Sequence, residues 1–233
     1  MHWIGLLIFL SYFSVCYSCW CMSGYKKCQP KCYTQLELGF VIDGSHSINV
    51  EDSQNFARFL QFVKNIVSYF DVGPTMTRVG VVTYSNNAHV QMTFGSHKYL
   101  KSTLKAISEI PFRGSGTKTG QGLIAAQAQL FSKSRSKVRK ALVVLTDGQS
   151  SDDATGPAKA LKNAGVEVFA IGVGNAFWKQ ELMDIASDGR HIFTSGFKSL
   201  KAIENTVKNM ICDGPNGTYK CQCPCGCVYT YSC

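Results

Sequence analysis

The stretch Asp43-Gly44-Ser45-His46-Ser47 sets one carboxylate and two hydroxyls at alternate positions, directly after the apolar run Leu38-Gly39-Phe40-Val41-Ile42. All three are oxygen donors, and a hard divalent cation such as Mg²⁺ is the ion they suit. Two further oxygen-bearing stretches lie downstream. One is the Gly-rich loop Gly114-Ser115-Gly116-Thr117-Lys118-Thr119-Gly120; the other is Thr146-Asp147-Gly148, which closes the apolar run Leu142-Val143-Val144-Leu145. Singly, each Ser or Asp is an ordinary turn or cap residue. Together, Asp43, Ser45, Ser47, Thr117 and Asp147 put five oxygen-bearing side chains at three loop positions, and that coincidence points to a cation site.

Competing chemistry finds little support. There is no Gly-x-Ser-x-Gly elbow and no His-Glu-x-x-His helix, and the Gly114–Gly120 loop lacks the Gly-Lys-Ser/Thr ending of a phosphate loop. His46, His89, His97 and His191 are scattered without metal-ligand spacing. The expectation is a binding protein, not an enzyme.

The elements that must position these loops alternate between strand and helix patterns. Leu36–Ile42 reads as a buried strand. Over Asp52–Phe70, apolar residues from Phe56 to Phe70 recur at three- and four-residue steps, as a helix requires. Thr77–Ser85 and Ala88–Phe94 read as a hairpin around Asn86-Asn87. A helix around Leu100–Ile107 stops before Pro111, and a small-residue helix is expected over Thr119–Phe131. Lys140–Thr146 and Val166–Gly172 are apolar strands; between them Pro157 suits a helix start and Gly165 its end. Phe177–Ala186 reads as a helix, His191–Thr194 as a short strand and Phe197–Ile211 as a final helix. Strands joined by helical crossovers imply an α/β doubly wound, mostly parallel sheet with one antiparallel edge strand. Such sheets bind ligands at the carboxyl ends of their strands, where Asp43 and Asp147 fall.

The ends of the chain differ from this centre. Met1–Ser18 carries Leu6-Leu7-Ile8-Phe9-Leu10 and reads as a signal peptide, too short to span a bilayer. None of the eleven cysteines lies between Cys32 and Cys212, and removing the leader takes Cys16 and leaves ten. An even set in an exported chain reads as disulfides whose connectivity the sequence leaves open. The expected organisation is therefore leader 1–18, Cys-rich segment 19–34, central domain 35–211 and Cys-rich tail 212–233. The tail holds one glycosylation sequon at Asn216. Formal net charge is +9. No nucleic-acid motif accompanies it, so neither nucleic acid nor a membrane span is expected. The basic run Lys133, Arg135, Lys137, Arg139 and Lys140 reads either as a polyanion contact or as a solvated loop.

The three loop motifs, in this order, resemble a von Willebrand factor type A domain over roughly Gln35 to Ile211, as does the later run Val168-Phe169-Ala170-Ile171-Gly172-Val173-Gly174. The five oxygen-bearing residues match the family's metal-ion-dependent adhesion site. The resemblance implies that Ser45 and Ser47 bind the ion directly, with Thr117, Asp43 and Asp147 bound directly or through water. A Glu or Asp of a partner protein would complete the shell. Octahedral geometry would favour Mg²⁺, with Mn²⁺ or Ca²⁺ as alternatives. It further implies a secreted extracellular-matrix adhesion protein with a matrix protein, collagen among the candidates, as partner. The alternative is a disulfide-linked structural matrix component that holds acidic polymers or mineral-associated polyanions on its basic surface; in either case the Cys-rich ends would rigidify the domain or link it into disulfide-linked oligomers. In integrin members of the family the last helix slides to switch affinity. A Cys32–Cys212 bridge, one candidate pairing, would restrain that motion.

Overall fold

The computed structural model describes residues 29–213, 218–222 and 228–232; for 29–30 and the last two segments only the course of the backbone is described. The leader, the Asn216 sequon and all cysteines other than Cys32, Cys212 and Cys221 lie outside the described residues.

In chain order the elements are β1 (Gln29–Tyr33), β2 (Leu36–Asp43), α1 (Asn55–Ser68), β3 (Thr77–Tyr84), β4 (Ala88–Met92), α2 (Leu100–Ser108), α3 (Thr119–Ala125), β5 (Arg139–Thr146), α4 (Thr155–Asn163), β6 (Val166–Val173), α5 (Lys179–Ile185), β7 (Ile192–Ser195), α6 (Lys201–Cys212), β8 (Thr218–Gln222) and β9 (Val228–Ser232). The main sheet has six strands in the order β4-β3-β2-β5-β6-β7. Every pairing in it is parallel except β3 with β4, which closes one edge as a hairpin.

All eight residues of β2 are buried, as a central strand covered on both faces must be. Alternation along the strands divides the core in two. Leu36, Leu38, Phe40 and Ile42 face one cluster, which takes in Phe59, Val63 and Ile66 of α1, Ile107 of α2 and Val207 of α6. Val41, Val82 and Val144 face the other, built with Leu123 of α3, Leu161 of α4 and Leu182 of α5. The same alternation puts Asp43, Tyr84 and Thr146 on the second face, at the carboxyl ends of three adjacent strands.

Element boundaries depart from the sequence expectation where local chemistry intervenes. Residue Asp52 forms a turn, taking Gln54 N–H on its side chain at 2.9 Å and Asn55 N–H on its carbonyl at 3.0 Å, so α1 starts at Asn55. The helix expected over Thr119–Phe131 is α-helical only to Ala125, then becomes a π-turn over Ala126–Leu130 and a 3₁₀ turn over Phe131–Lys133. Sequence neighbours Leu130 and Phe131 are both buried in the second core. A regular helix turns by about 100° per residue, and the inserted residue restores the facing both need.

A second, three-stranded antiparallel sheet of order β1-β8-β9 joins the segment before β2 to the tail. Cys32 is disulfide-bonded to Cys212, with 6.0 Å between their Cα atoms and 180 residues between them in sequence. The bridge ties β1 to the last residue of α6.

Candidate metal centre

Strand β2 ends at Asp43, whose carboxylate is fully buried. One oxygen accepts the Ser45 backbone N–H at 2.8 Å, which folds the turn over the strand end. The other accepts Thr146 Oγ1 at 2.9 Å and Tyr84 OH at 3.1 Å. Thr119 Oγ1 in turn donates to Tyr84 OH at 3.2 Å. Burial holds the Asp43 carboxyl above its ordinary range, although bonds from Ser45, Thr146 and Tyr84 oppose the shift. Burial, reinforced by the Asp43 charge, likewise keeps the Tyr84 phenol protonated and a donor.

From Asp43 the polar chain runs outward. Ser45 Oγ lies 3.0 Å from Ser47 Oγ, and Ser47 Oγ donates to Asp147 Oδ1 at 2.9 Å. Ser45 is buried and Ser47 exposed, so the cluster opens to solvent on the Ser47 side. Burial, and secondarily the charge of Asp43, push Asp147 up to about 6 against the opposing Ser47 bond.

Thr117 arrives on the loop between α2 and α3. That loop is laid along the Gly44–His46 turn by Gly114 N–H to Gly44 O at 2.9 Å and His46 N–H to Ser115 O at 2.7 Å. The Thr117 carbonyl accepts both Ser151 N–H at 2.7 Å and Ser151 Oγ at 2.8 Å. Its half-buried hydroxyl has no hydrogen-bond partner among the described residues. Four of the five expected ligands thus form one hydrogen-bonded chain, and Thr117 stands on the adjoining loop.

The donor set fits a hard cation. Two carboxylates and three hydroxyls supply oxygen only, which suits Mg²⁺ and neighbouring divalent ions. Among the described residues no group of three or more His, Cys, Asp or Glu side chains is arranged so that it could hold a metal ion. Burial is the first cause of both raised carboxyls; at Asp147 repulsion by the Asp43 charge adds to it, and no basic side chain is bonded to either. A bound cation would relieve that repulsion.

Several supporting residues carried weaker sequence signals. Tyr84 is the register partner of Asp43 on β3, so it was findable only once the strands were aligned. Asp152 accepts Gly120 N–H at 2.8 Å, Gln121 N–H at 3.0 Å and Ser150 Oγ at 2.7 Å, and so clamps the loop after Asp147 onto the start of α3. Glu181 of α5 takes Ser150 N–H at 2.9 Å from below.

The basic run is dispersed by the fold. The carboxylate of Glu37, wholly buried on β2, accepts Arg135 Nε at 2.7 Å and Arg78 Nη2 at 2.6 Å. Arg135 also donates to the Met76 carbonyl at 2.6 Å. Arg139 is engaged by Glu167 and by the Ile211 carbonyl. Lys133 donates to Gln129 at 3.2 Å and Lys140 to the Ala164 carbonyl at 3.3 Å; Lys133 and Lys137 are exposed. The two arginines of the run therefore serve the fold.

A doubly wound sheet with oxygen-bearing side chains gathered at the carboxyl ends of its central strands defines an α/β domain of the Rossmann-like class. The chain belongs to the von Willebrand factor type A domain family, whose model matches residues 37–209. It is similar to vitrin of Mus musculus, 33% identical over 196 residues that make up 82% of this chain and 29% of that protein. It is also similar to the collagen alpha-1(XII) chain of Notophthalmus viridescens, 32% identical over 192 residues, 78% of this chain and 20% of that one. A solved structure of proximal thread matrix protein 1 from the mussel byssus, with zinc occupied MIDAS motif, superposes with a TM-score of 0.74 at 32% identity and covers 78% of this chain and 48% of that one. The chain thus spans less than a third of either of the first two relatives. Among the described residues no helix is long and apolar enough to cross a membrane.

Proposed function

We propose that the chain is an extracellular-matrix adhesion module that binds an acidic group of a partner protein through a divalent cation. The hydrogen-bonded chain Asp43–Ser45–Ser47–Asp147, open to solvent at Ser47, carries this reading. Ser45, Ser47 and Thr117 would offer hydroxyl oxygens, Asp147 a carboxylate at the mouth, and Asp43 a buried carboxylate already fixed by Tyr84 and Thr146. When bound, the cation supplies an electropositive centre that few anionic ligands neutralise, so it attracts one more carboxylate. Mg²⁺ is the ion we assign, with Mn²⁺ and Ca²⁺ as alternatives. The zinc in the MIDAS motif of the mussel protein supports a divalent ion at such a site.

The setting is inferred from the relatives and the chain ends. A collagen chain and a thread matrix protein among the relatives support a matrix location and a matrix protein partner, for which collagen is the first to test. Secretion would use the leader 1–18, and the cysteines beyond Cys32 and Cys212 would stiffen the ends or link chains, which non-reducing electrophoresis reads directly. The polyanion alternative is weakened by the engagement of Arg135 and Arg139 in the fold.

The test is binding of the purified protein to immobilised collagen and to matrix extract in Mg²⁺ and in EDTA, alongside Asp43→Ala. Adhesion lost in EDTA and in Asp43→Ala is expected. Adhesion indifferent to chelator but abolished by high salt would replace this reading with the polyanion one.

A further inference from the structure

Beside the candidate metal centre lies a crevice of about 380 Å³ that the cation ligands fill only at one end, where Ser47 and Asp147 form part of its lining. The remainder is built from three elements. Val50, Glu51 and Asn55 come from the turn into α1, Val173 to Ala176 from the end of β6 and its loop, and Phe197 from the turn before α6. The walls are defined by packing: Phe197 stacks on Phe59 with ring centroids 5.2 Å apart. Gly174 holds a left-handed φ of 86° that turns the loop away, and a Cβ there would stand 3.4 Å from the Phe197 ring.

The lining is amphipathic and one-signed. Val50, Val173, Ala176 and Phe197 give it apolar walls, whereas its only charged groups are Glu51 and Asp147. Glu51 and Asp147 line the same crevice, so both charges face whatever enters it. Among the described residues no hydrogen bond or ion pair engages the Glu51 carboxylate, which is exposed at the rim. Asn55 is buried at the base, and its side-chain oxygen is taken by Arg58 at 2.5 Å.

We propose that this crevice is a specificity pocket for an arginine of the partner, borne on the same segment as the acidic residue that reaches the cation; the inference rests on the function proposed above. An arginine has an apolar stem to lie along Val50 and Ala176, both exposed, and a charged head to keep near water. Its planar guanidinium matches a carboxylate in two-point contact and stacks on an aromatic face, here Glu51 and Phe197. Lysine meets the charge but not the fork or the stack, so it ranks second. An acidic side chain would be repelled by Glu51, and an aliphatic one would leave that carboxylate facing an apolar group.

The experiment uses the full chain on an array of short peptides with one central Glu and a systematically varied neighbour, read in Mg²⁺ and in EDTA. The quantity followed is the ratio of binding to Arg-flanked and Ala-flanked peptides, which cancels any change in cation affinity. A Mg²⁺-dependent ratio of about ten is expected, falling towards one in Glu51→Gln and in Ala176→Trp, which fills the pocket. A ratio near one in the unaltered protein, or a preference for arginine that Glu51→Gln leaves intact, overturns the pocket. Mg²⁺ that raises Tm without Mg²⁺-dependent binding to any peptide also overturns it, while leaving the cation site in place. Neither a Tm rise nor Mg²⁺-dependent binding would remove the proposed function and this inference together.

Discussion

Ser47 donates a hydrogen bond to Asp147 at 2.9 Å across 100 residues of sequence, and that bond links the turn after β2 to the end of β5. It is made on the open side of a site whose other acid, Asp43, is sealed beneath Tyr84 and Thr146. The pairing leaves Asp147, itself buried, as the less enclosed of the two acids and the one that lines the crevice.

The first prediction concerns pH. Asp147 titrates near about 6 in the folded chain, above the ordinary carboxylate value of about 3.9. A group with a raised folded pKa adds stability below its unfolded pKa and loses it as pH rises through the folded one. Without cation, this group makes the protein less stable at about pH 7.5 than at about pH 5, by no more than about 1 kcal/mol once solvent screening is allowed for. A cation offsets the repulsion only when Asp147 is ionised. Mg²⁺ should therefore raise Tm more at the higher pH, and Asp147→Asn should abolish the Mg²⁺ effect at both. Calorimetric scans at the two pH values check this; equal Mg²⁺ shifts would refute it.

The disulfide gives a second prediction. Cys32 and Cys212 close a loop of 180 residues. Chain-entropy arguments put such a crosslink at up to about 5 kcal/mol, and native bridges more commonly contribute about 2–4. The double variant Cys32→Ser/Cys212→Ser should lose stability in that range while keeping the main sheet. Urea unfolding followed by circular dichroism measures the loss. The bridge also holds the end of α6, whose other end is preceded by Phe197 in the crevice wall. The double variant should accordingly show faster amide exchange along α6, and unchanged exchange there would mean that packing alone fixes the helix.

Much of this architecture was legible in the sequence, for physical reasons that differ by element. The inner strands β5 and β6 announced themselves because a strand buried on both faces is a nearly unbroken apolar run, and Leu142–Leu145 or Val168–Val173 can be little else; the edge strand β4 was legible instead from the Asn86-Asn87 turn that precedes it. Four of the five proposed cation ligands were legible because they follow such apolar runs directly, and Thr117 because it sits in a Gly-rich loop. The small β1-β8-β9 sheet was not: its strands carry Lys, Gln, Thr and Tyr, and its pairing depends on where α6 returns the chain. The partners of the basic run were hidden for a related reason. A lone acid inside the buried strand Leu36–Ile42 demands basic partners, but sequence does not say that Arg78 and Arg135 are the ones brought to it.

Glu37 supplies the third prediction. Its carboxylate is fully buried between two guanidiniums. Removing one partner of a buried ion network costs about 3–5 kcal/mol, because the remaining charges are left uncompensated. Glu37→Ala should lose that much in urea unfolding. Lys137→Ala, on the exposed part of the same basic run, should stay within about 0.5 kcal/mol of the parent. A small effect of Glu37→Ala would mean that water reaches the arginines and solvates them.

The last prediction separates the site from the fold that carries it. A Cβ added at Gly120 would stand 2.0 Å from the backbone oxygen of Asp153. Backbone cannot yield as a flexible side chain does, so Gly120→Ala must lift the 148–153 loop off the start of α3. That loop is fixed by Asp152 on Gly120 N–H and Gln121 N–H, and by Ser151 on the Thr117 carbonyl. Lifting it displaces Thr117 and Asp147 from each other while the strands stay paired beneath. Gly120→Ala should therefore keep near-parental far-ultraviolet circular dichroism and lose at least tenfold in Mg²⁺ affinity by titration calorimetry, about 1.4 kcal/mol. Asp152→Ala removes the clamp without the clash and should weaken Mg²⁺ in the same direction by a smaller factor. If both variants bind Mg²⁺ as the parent does, Thr117 and Asp147 do not depend on this loop for their placement, and the ion rests on the Asp43–Ser47 turn alone.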